Sequence, residues 1–220
     1  MKVICIDTET TGLPKKRNAS ITDDANWPYA VQISWMILDD DKIVKTCDFI
    51  ININGSIPEE STAIHGITNE IMNEKGVSIH GVLEELCNDC KEVQLMVAHN
   101  LEFDKKIIMV ELYRNGFYQE YNDLRYSKFI EVCTMKAGKD LCKIEKKDRF
   151  GNMYYKWPQL SELYEKLFQT TPQNLHNSLV DMCACLRCFY KMRFGQDIIE
   201  TNTAFKDLFT QNMTHIQVQS

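Results

Sequence analysis

Apolar and polar positions follow two different periods along this chain, and each change of period marks an element. Val3-Ile4-Cys5-Ile6 is a short β-rich apolar run that ends at Asp7 and a Thr-Glu-Thr-Thr-Gly turn, which predicts a buried strand opening the domain. A polar stretch from Lys15 to Asn26 follows. Then come Val31 to Leu38, an Asp39-Asp40-Asp41 break, and further β-rich patches from Ile43 to Ile53. These predict an antiparallel meander whose first two strands flank a loop. From Glu59 to Cys90 the pattern is helical, with breaks near Gly66 and Gly76.

The second half alternates. Leu95 to Ala98 reads as a strand ending at His99-Asn100, with Asn100 as a good N-cap for a helix whose apolar faces come from Phe103, Ile107, Val110 and Leu112. Another strand is expected around Phe129 to Cys133. Leu160, Leu163, Tyr164, Leu167 and Phe168 repeat at helical spacing, as do Leu179, Cys183, Leu186 and Tyr190. Strands first and alternating helices and strands afterwards predict an α/β fold with a mixed central sheet flanked by helices. Residues 1–196 read as one catalytic-sized domain. Residues 197–220 read as a tail with a short helical pattern around Ala204 to Phe209 and a frayed polar end.

Composition narrows the class. With 44% hydrophobic and 10% aromatic residues in 220, the chain can build a sizeable core, which excludes disordered, collagen-like and coiled-coil classes. No apolar run approaches the ~18 residues of a membrane span, and Asp7 interrupts any signal-peptide core. The nine cysteines are odd in number and scattered, so reduced thiols are expected, in an intracellular, cytoplasmic or nuclear compartment rather than outside the cell. The closest groups, Cys87 with Cys90 and Cys183 with Cys185 and Cys188, lie on helical patterns and read as thiols rather than a zinc site. A net charge of −6 argues against a globally basic surface, yet leaves room for a local one.

Acidic residues carry the chemistry. Asp7 and Glu9 are two apart at a strand end, so strand periodicity turns both side chains to one face. Alone, the pair is either a divalent-cation site or an acidic turn. Two more acids sit one turn into helices approached by a histidine and an asparagine: Asp104 after His99-Asn100, and Asp181 after His176-Asn177, where Asn177 or Ser178 can cap the helix. Those helices can deliver a carboxylate each, and one of them a histidine, to the strand-end pair.

Asp7-Thr8-Glu9-Thr10-Thr11-Gly12-Leu13, His99-Asn100-x-x-Phe103-Asp104 and His176-x4-Asp181 resemble, in order and spacing, the three motifs of the DEDD-superfamily exonucleases of the histidine (DEDDh, DnaQ-like) branch. Ile64-His65-Gly66-Ile67-Thr68 and Val132-Cys133-Thr134-Met135 are similar to segments of polymerase III epsilon-type proofreading relatives. The resemblance runs from about residue 3 to residue 190. It implies an RNase H-like fold and a 3′-to-5′ exonuclease using two divalent cations, Mg2+ or Mn2+. By the same resemblance Asp7 bridges both ions, Glu9 and Asp181 bind on the attacking-water side, Asp104 holds the other ion, and His176 is the general base.

The resemblance also implies contacts to the terminal nucleotide, from the Thr10 backbone with Glu9 to the 3′ hydroxyl and from Leu13, His65 and Phe103 to the base. The alternative for Leu13 and Phe103 is an ordinary core contact beside the site, and for His65 a helix cap. Lys15, Lys16 and Arg17 follow the first motif. Lys143, Lys146, Lys147, Arg149 and Lys156 lie among Phe150, Tyr154, Tyr155 and Trp157, a pattern that suits either a single-strand track or a solvated loop. His80 and His215 read as structural or solvent-exposed. The expected substrate is a single-stranded or frayed DNA 3′ end, released as 5′-mononucleotides, with RNA as the alternative and a polymerase in trans as a further partner. A catalytically silent binding module is the remaining class, which the intact carboxylates and His176 argue against.

Overall fold

The computed structural model describes residues 1–214, so the reading of His215 and of the chain's polar end lies outside the described residues. The elements in chain order are β1 (Lys2–Thr10), β2 (Ala30–Asp39), β3 (Lys42–Ile50), α1 (Glu59–His65), α2 (Asn69–Lys75), α3 (Ile79–Cys90), β4 (Leu95–Ala98), α4 (Leu101–Arg114) and α5 (Tyr118–Arg125). Then follow β5 (Ile130–Cys133), α6 (Thr134–Ala137), α7 (Lys139–Cys142), β6 (Glu145–Lys147), β7 (Met153–Tyr155), α8 (Leu160–Phe168), α9 (Ser178–Phe194), α10 (Ile198–Thr201) and α11 (Thr203–Thr214).

Five strands form one mixed sheet in the order β3-β2-β1-β4-β5. β1, β2 and β3 are the antiparallel meander, and β4 and β5 continue parallel to β1. Because successive side chains on a strand point to opposite faces, β1 divides its apolar residues between two cores. Ile4 and Ile6 face one, with Ile33, Trp35 and Ile37 of β2 and the apolar stripes of α3, α4 and α5. Val3 and Cys5 face the other, with Met36, Leu38, Leu95 and Val97, covered by α8, α9, α10 and α11. β1 and β2 are buried on both faces, which explains their near-continuous apolar runs.

β1 outruns its partner. It pairs with β4 only over Val3–Cys5 and continues to Thr10 with β2 as its neighbour on the other side. Asp7 and Glu9 therefore lie on a strand end open toward the β4 side, at the carboxyl ends of the parallel strands where α/β sheets hold their ligands.

The structure alters two readings. Asn100 occupies the N-cap position of α4 but is left-handed, at φ 73°, and its side chain makes no capping bond. A side-chain cap needs extended backbone. Asn100 instead supplies the sharp reversal from β4 into α4, which asparagine tolerates better than most residues. The segment after α7 is a two-stranded antiparallel hairpin, β6–β7, separate from the main sheet, rather than a plain loop. No helix among the described residues is long and apolar enough to cross a membrane.

Candidate active site

Carboxylate oxygens of Asp7, Glu9 and Asp181 all lie within 4.8 Å of one another. Strand parity puts Asp7 and Glu9 on the β1 face covered by α9, and Asp181 comes from the first turn of that helix. The helix start is fixed twice: the Asn177 side chain accepts from the Val180 N–H, and the Ser178 hydroxyl donates to the Asp7 carbonyl at 2.7 Å. Gln32, buried in β2, accepts from the Ser178 N–H at 3.2 Å and donates to Asp48 at 2.7 Å. These bonds seat the helix on the strand pair that carries the first motif.

Asp104 arrives from the opposite face. The odd-numbered acids face α9, whereas Thr8 between them faces α4, and its N–H and hydroxyl both donate to Asp104 Oδ1, at 3.1 and 2.9 Å. Asp104 stands outside the 4.8 Å trio, yet its charge has the largest effect on Asp7 after burial. One of its oxygens, Oδ1, is held twice by Thr8.

Electrostatics give the cluster its character. Burial, then repulsion from Asp104, Asp181 and Glu9, holds the Asp7 carboxyl well above the usual carboxylate range. Burial and the same neighbours push Glu9 up to about 8. Burial raises Asp104 and Asp181 to about 7, opposed in Asp104 by the two Thr8 bonds and in Asp181 by the His176 N–H. Four acids in this condition are a set that divalent cations stabilise, because hard carboxylate oxygens and compensating positive charge remove the repulsion. The donor set therefore fits metal. Cys47, Glu85 and Asp89 also lie within 4.8 Å of one another, but Lys45 already bridges those two carboxylates, at 2.9 and 2.7 Å. The nine cysteines are free thiols, and neither helical cysteine group forms a metal-holding cluster among the described residues.

His176 lies just outside α9, exposed, with left-handed backbone at φ 76°. Its N–H donates to both Asp181 oxygens at 3.3 Å, which places the residue at the mouth of the carboxylate corner. His99 has another role. Its Nε2 donates to the Pro158 carbonyl at 3.2 Å and its Nδ1 meets the Thr134 hydroxyl at 3.0 Å. Burial pushes it down to about 4, so it is a neutral tie between the end of β4 and the approach to α8.

The residues expected at the terminal nucleotide separate into kinds. Leu13 is 78% exposed and is not a core contact. It follows Gly12, whose φ of +144° suits glycine, in a loop knitted together by Asn26, which bonds Lys16 in both directions. Arg114 clamps the far end of that loop, stacking on Tyr29 at 3.9 Å and pairing with Asp24 and with buried Glu111, which itself accepts from the Ala30 N–H. Phe103 packs half-buried on the α4-side core. His65 is buried, and its Nδ1 accepts from the Ile67 N–H, as a cap would. Its Nε2, on the side of the Thr10 backbone, is buried without a hydrogen-bond partner among the described residues. Lys146 and Lys147 lie on β6 and Arg149 at the hairpin tip, away from the carboxylates in sequence and on exposed backbone.

The exonuclease family model named for RNase T matches residues 4–189. The chain belongs to this exonuclease family. It is thus a DEDD-superfamily nuclease, a hydrolase of a divalent-metal-dependent family, and the mixed sheet flanked by helices is the RNase H-like exonuclease fold. The exonuclease is similar in fold to Escherichia coli exonuclease I in complex with a dT13 oligonucleotide, at 17% identity and a TM-score of 0.64, covering 96% of this chain and 44% of that one. Exonuclease I of Methylocaldum szegediense is similar at 16% identity and a TM-score of 0.61, covering 92% and 43%. A zinc-bound form of the E. coli enzyme with single-stranded DNA matches at 16% identity and a TM-score of 0.64, covering 97% and 43%. The chain spans less than half the length of these proteins. No curated protein matches the sequence.

Sequence reasoning missed Thr8, Gln32, Glu111 and Arg114, and read Ser178 as a candidate helix cap rather than as the tie to Asp7 and Gln32. Gln32 left a signal, as a polar residue inside the apolar run Val31 to Leu38. Glu111 left a weaker one, on the apolar side of its helix.

Proposed function

We propose that the chain is a 3′-to-5′ exonuclease that hydrolyses single-stranded or frayed DNA ends to 5′-mononucleotides, with two Mg2+ or Mn2+ ions held by Asp7, Glu9, Asp104 and Asp181. The observation that carries this reading is the meeting of Asp7, Glu9 and Asp181 within 4.8 Å, with His176 at their mouth. When bound, the ions supply Lewis-acid stabilisation of the attacking and leaving oxygens of an in-line displacement at phosphorus.

The protein's residues do the rest. His176, exposed and close to ordinary solvent, takes the proton of the attacking water as its oxygen bonds to phosphorus and the bond to the 3′ oxygen breaks. Asp181 orients His176 through the backbone N–H. Thr10 holds the terminal hydroxyl, Leu13 and Phe103 flank the terminal base, and His65 Nε2 offers a buried donor to the nucleotide. The bond to Ile67 puts the neutral ring's proton on that nitrogen. The exonuclease I complexes contain single-stranded DNA, which favours DNA as the substrate here.

The test is a time course on 5′-labelled DNA and RNA of one sequence, with Mg2+, Mn2+ or chelator. A metal-dependent ladder shortening from the labelled strand's 3′ end, faster on DNA, is expected. A faster RNA ladder would make the chain an exoribonuclease. Binding of both without shortening would leave a partner-dependent or purely binding role.

A further inference from the structure

The β6–β7 hairpin is built in a way that the catalytic corner does not require. All six strand residues are exposed, and Glu145, Lys146 and Lys147 pair with Tyr155, Tyr154 and Met153. Its tip is closed by hydrogen bonds: Asp148 accepts from the Phe150 and Asn152 N–H groups and from the Asn152 side chain, while Gly151 turns at φ +86°. The tip presents the Arg149 guanidinium 4.6 Å above the Phe150 ring.

The base is anchored to the active-site end of the fold. Lys156 Nζ pairs with both Glu162 oxygens, at 2.5 and 2.6 Å, and Glu162 closes the capping box of α8. Pro158 is tied to His99, next to the turn that launches Phe103 and Asp104. With about six residues on each limb, the arm reaches about 20 Å.

Its surface has one chemical character. Between residues 143 and 156 there are five cations against two carboxylates in a chain whose net charge is −6, and Asp148 is consumed at the tip. Lys143, Lys146, Lys147 and Arg149 form no ion pair with a described carboxylate. Beside them stand Phe150, 75% exposed, Trp157, 52% exposed, and Tyr154 and Tyr155. Free lysines are depleted at the centres of protein–protein interfaces. Cations interleaved with open aromatic faces are what a single-stranded nucleic acid uses, phosphates on the former and unstacked bases on the latter.

We propose that this arm carries the single strand on the 5′ side of the end being cut, with bases stacking on Phe150, Tyr154 and Trp157 and phosphates on Lys143, Lys146, Lys147 and Arg149. The arm then makes the enzyme favour strands long enough to reach it. This rests on the exonuclease reading of the carboxylate corner, so its test includes binding measured without turnover.

Two full-length variants, Lys146→Gln/Lys147→Gln/Arg149→Gln and Phe150→Ala/Tyr154→Ala/Trp157→Ala, are compared with wild type after circular dichroism confirms folding. In chelator, dT20 binding is followed over a salt series. The charge variant should weaken binding and lower the slope of log affinity against log salt by about 2. The aromatic variant should weaken binding about tenfold or more with little change in slope. With metal, the ratio of kcat/KM for dT20 over dT3 should fall in both. Wild-type slope, affinity and length ratio in both variants would overturn the proposal and give the arm to a protein partner. A wild-type enzyme that binds dT20 through the arm yet shortens neither oligonucleotide would instead sink the exonuclease reading and leave the arm intact.

Discussion

The carboxylate corner and the β6–β7 arm are built on opposite principles. The corner gathers acids from three elements, β1, α4 and α9, into a partly buried place where burial raises every carboxyl and repulsion between the acids adds to it at Asp7, Glu9 and Asp104. The arm comes from one continuous segment, exposes all six of its strand residues, and carries the opposite charge. Concentrated charge needs tertiary structure to hold it together against repulsion, and a metal to relieve it. A surface for a flexible polymer needs only a rigid scaffold and open side chains. The comparison teaches where each kind of substitution should act: at the corner on turnover, at the arm on reach.

The largest expected effect comes from breaking the corner itself. Asp7→Asn or Asp181→Asn should reduce turnover to background while the metal-free protein melts no lower than wild type, because each removes a repelled carboxylate. Measured activity in both purified variants would dissolve the contrast. Next is His176→Ala, expected to lower kcat by about 10² to 10⁴ with 3′-end affinity retained. Lost affinity with turnover spared would move His176 from the corner's chemistry to substrate holding.

Thr8→Val is a finer probe, since it deletes the hydroxyl bond to Asp104 and keeps the backbone one. Turnover should fall by about 10- to 100-fold, as for other residues that orient metal ligands. The acid limb of the pH–rate profile should move upward, because the lost bond had lowered the Asp104 pKa.

The smallest effect is on stability against pH. The four acids titrate above their unfolded values, so between pH about 4 and about 8 the metal-free folded protein holds protons that the unfolded chain has released. Its melting temperature should therefore fall by several degrees as pH rises through that window, and Mg2+ should restore it. His99 acts oppositely: pushed down to about 4, its stabilising share is present above pH about 6.5 and is lost as pH falls. A flat melting profile from pH 5 to 8 without metal would contradict the burial and repulsion that raise these acids.

Much of this was readable before folding, for local reasons. The order of strands and helices followed from period changes, and the parity of Asp7 and Glu9 is a property of any strand. The positions of Asp104 and Asp181 one turn into their helices follow from the breaks before them. Asn100 stands at the N-cap position its residue type predicts, but as a left-handed turn without a capping bond; both uses favour asparagine and only the backbone angle separates them. The hairpin was not legible, because its strands are three residues long and, exposed on both faces, carry no alternation of buried and open positions.

The sequence by itself determined which residues carry charge and chemistry, and on which face of each element they stand, since both depend on neighbours within a few positions. Only the tertiary structure decided what holds them in place. Thr8 meets Asp104 across 96 positions, Ser178 meets Gln32 across 146, and Ala30 meets Glu111 across 81. Such pairings have no local period to announce them, because a hydrogen bond between distant residues forms only when packing of the two cores brings them within reach.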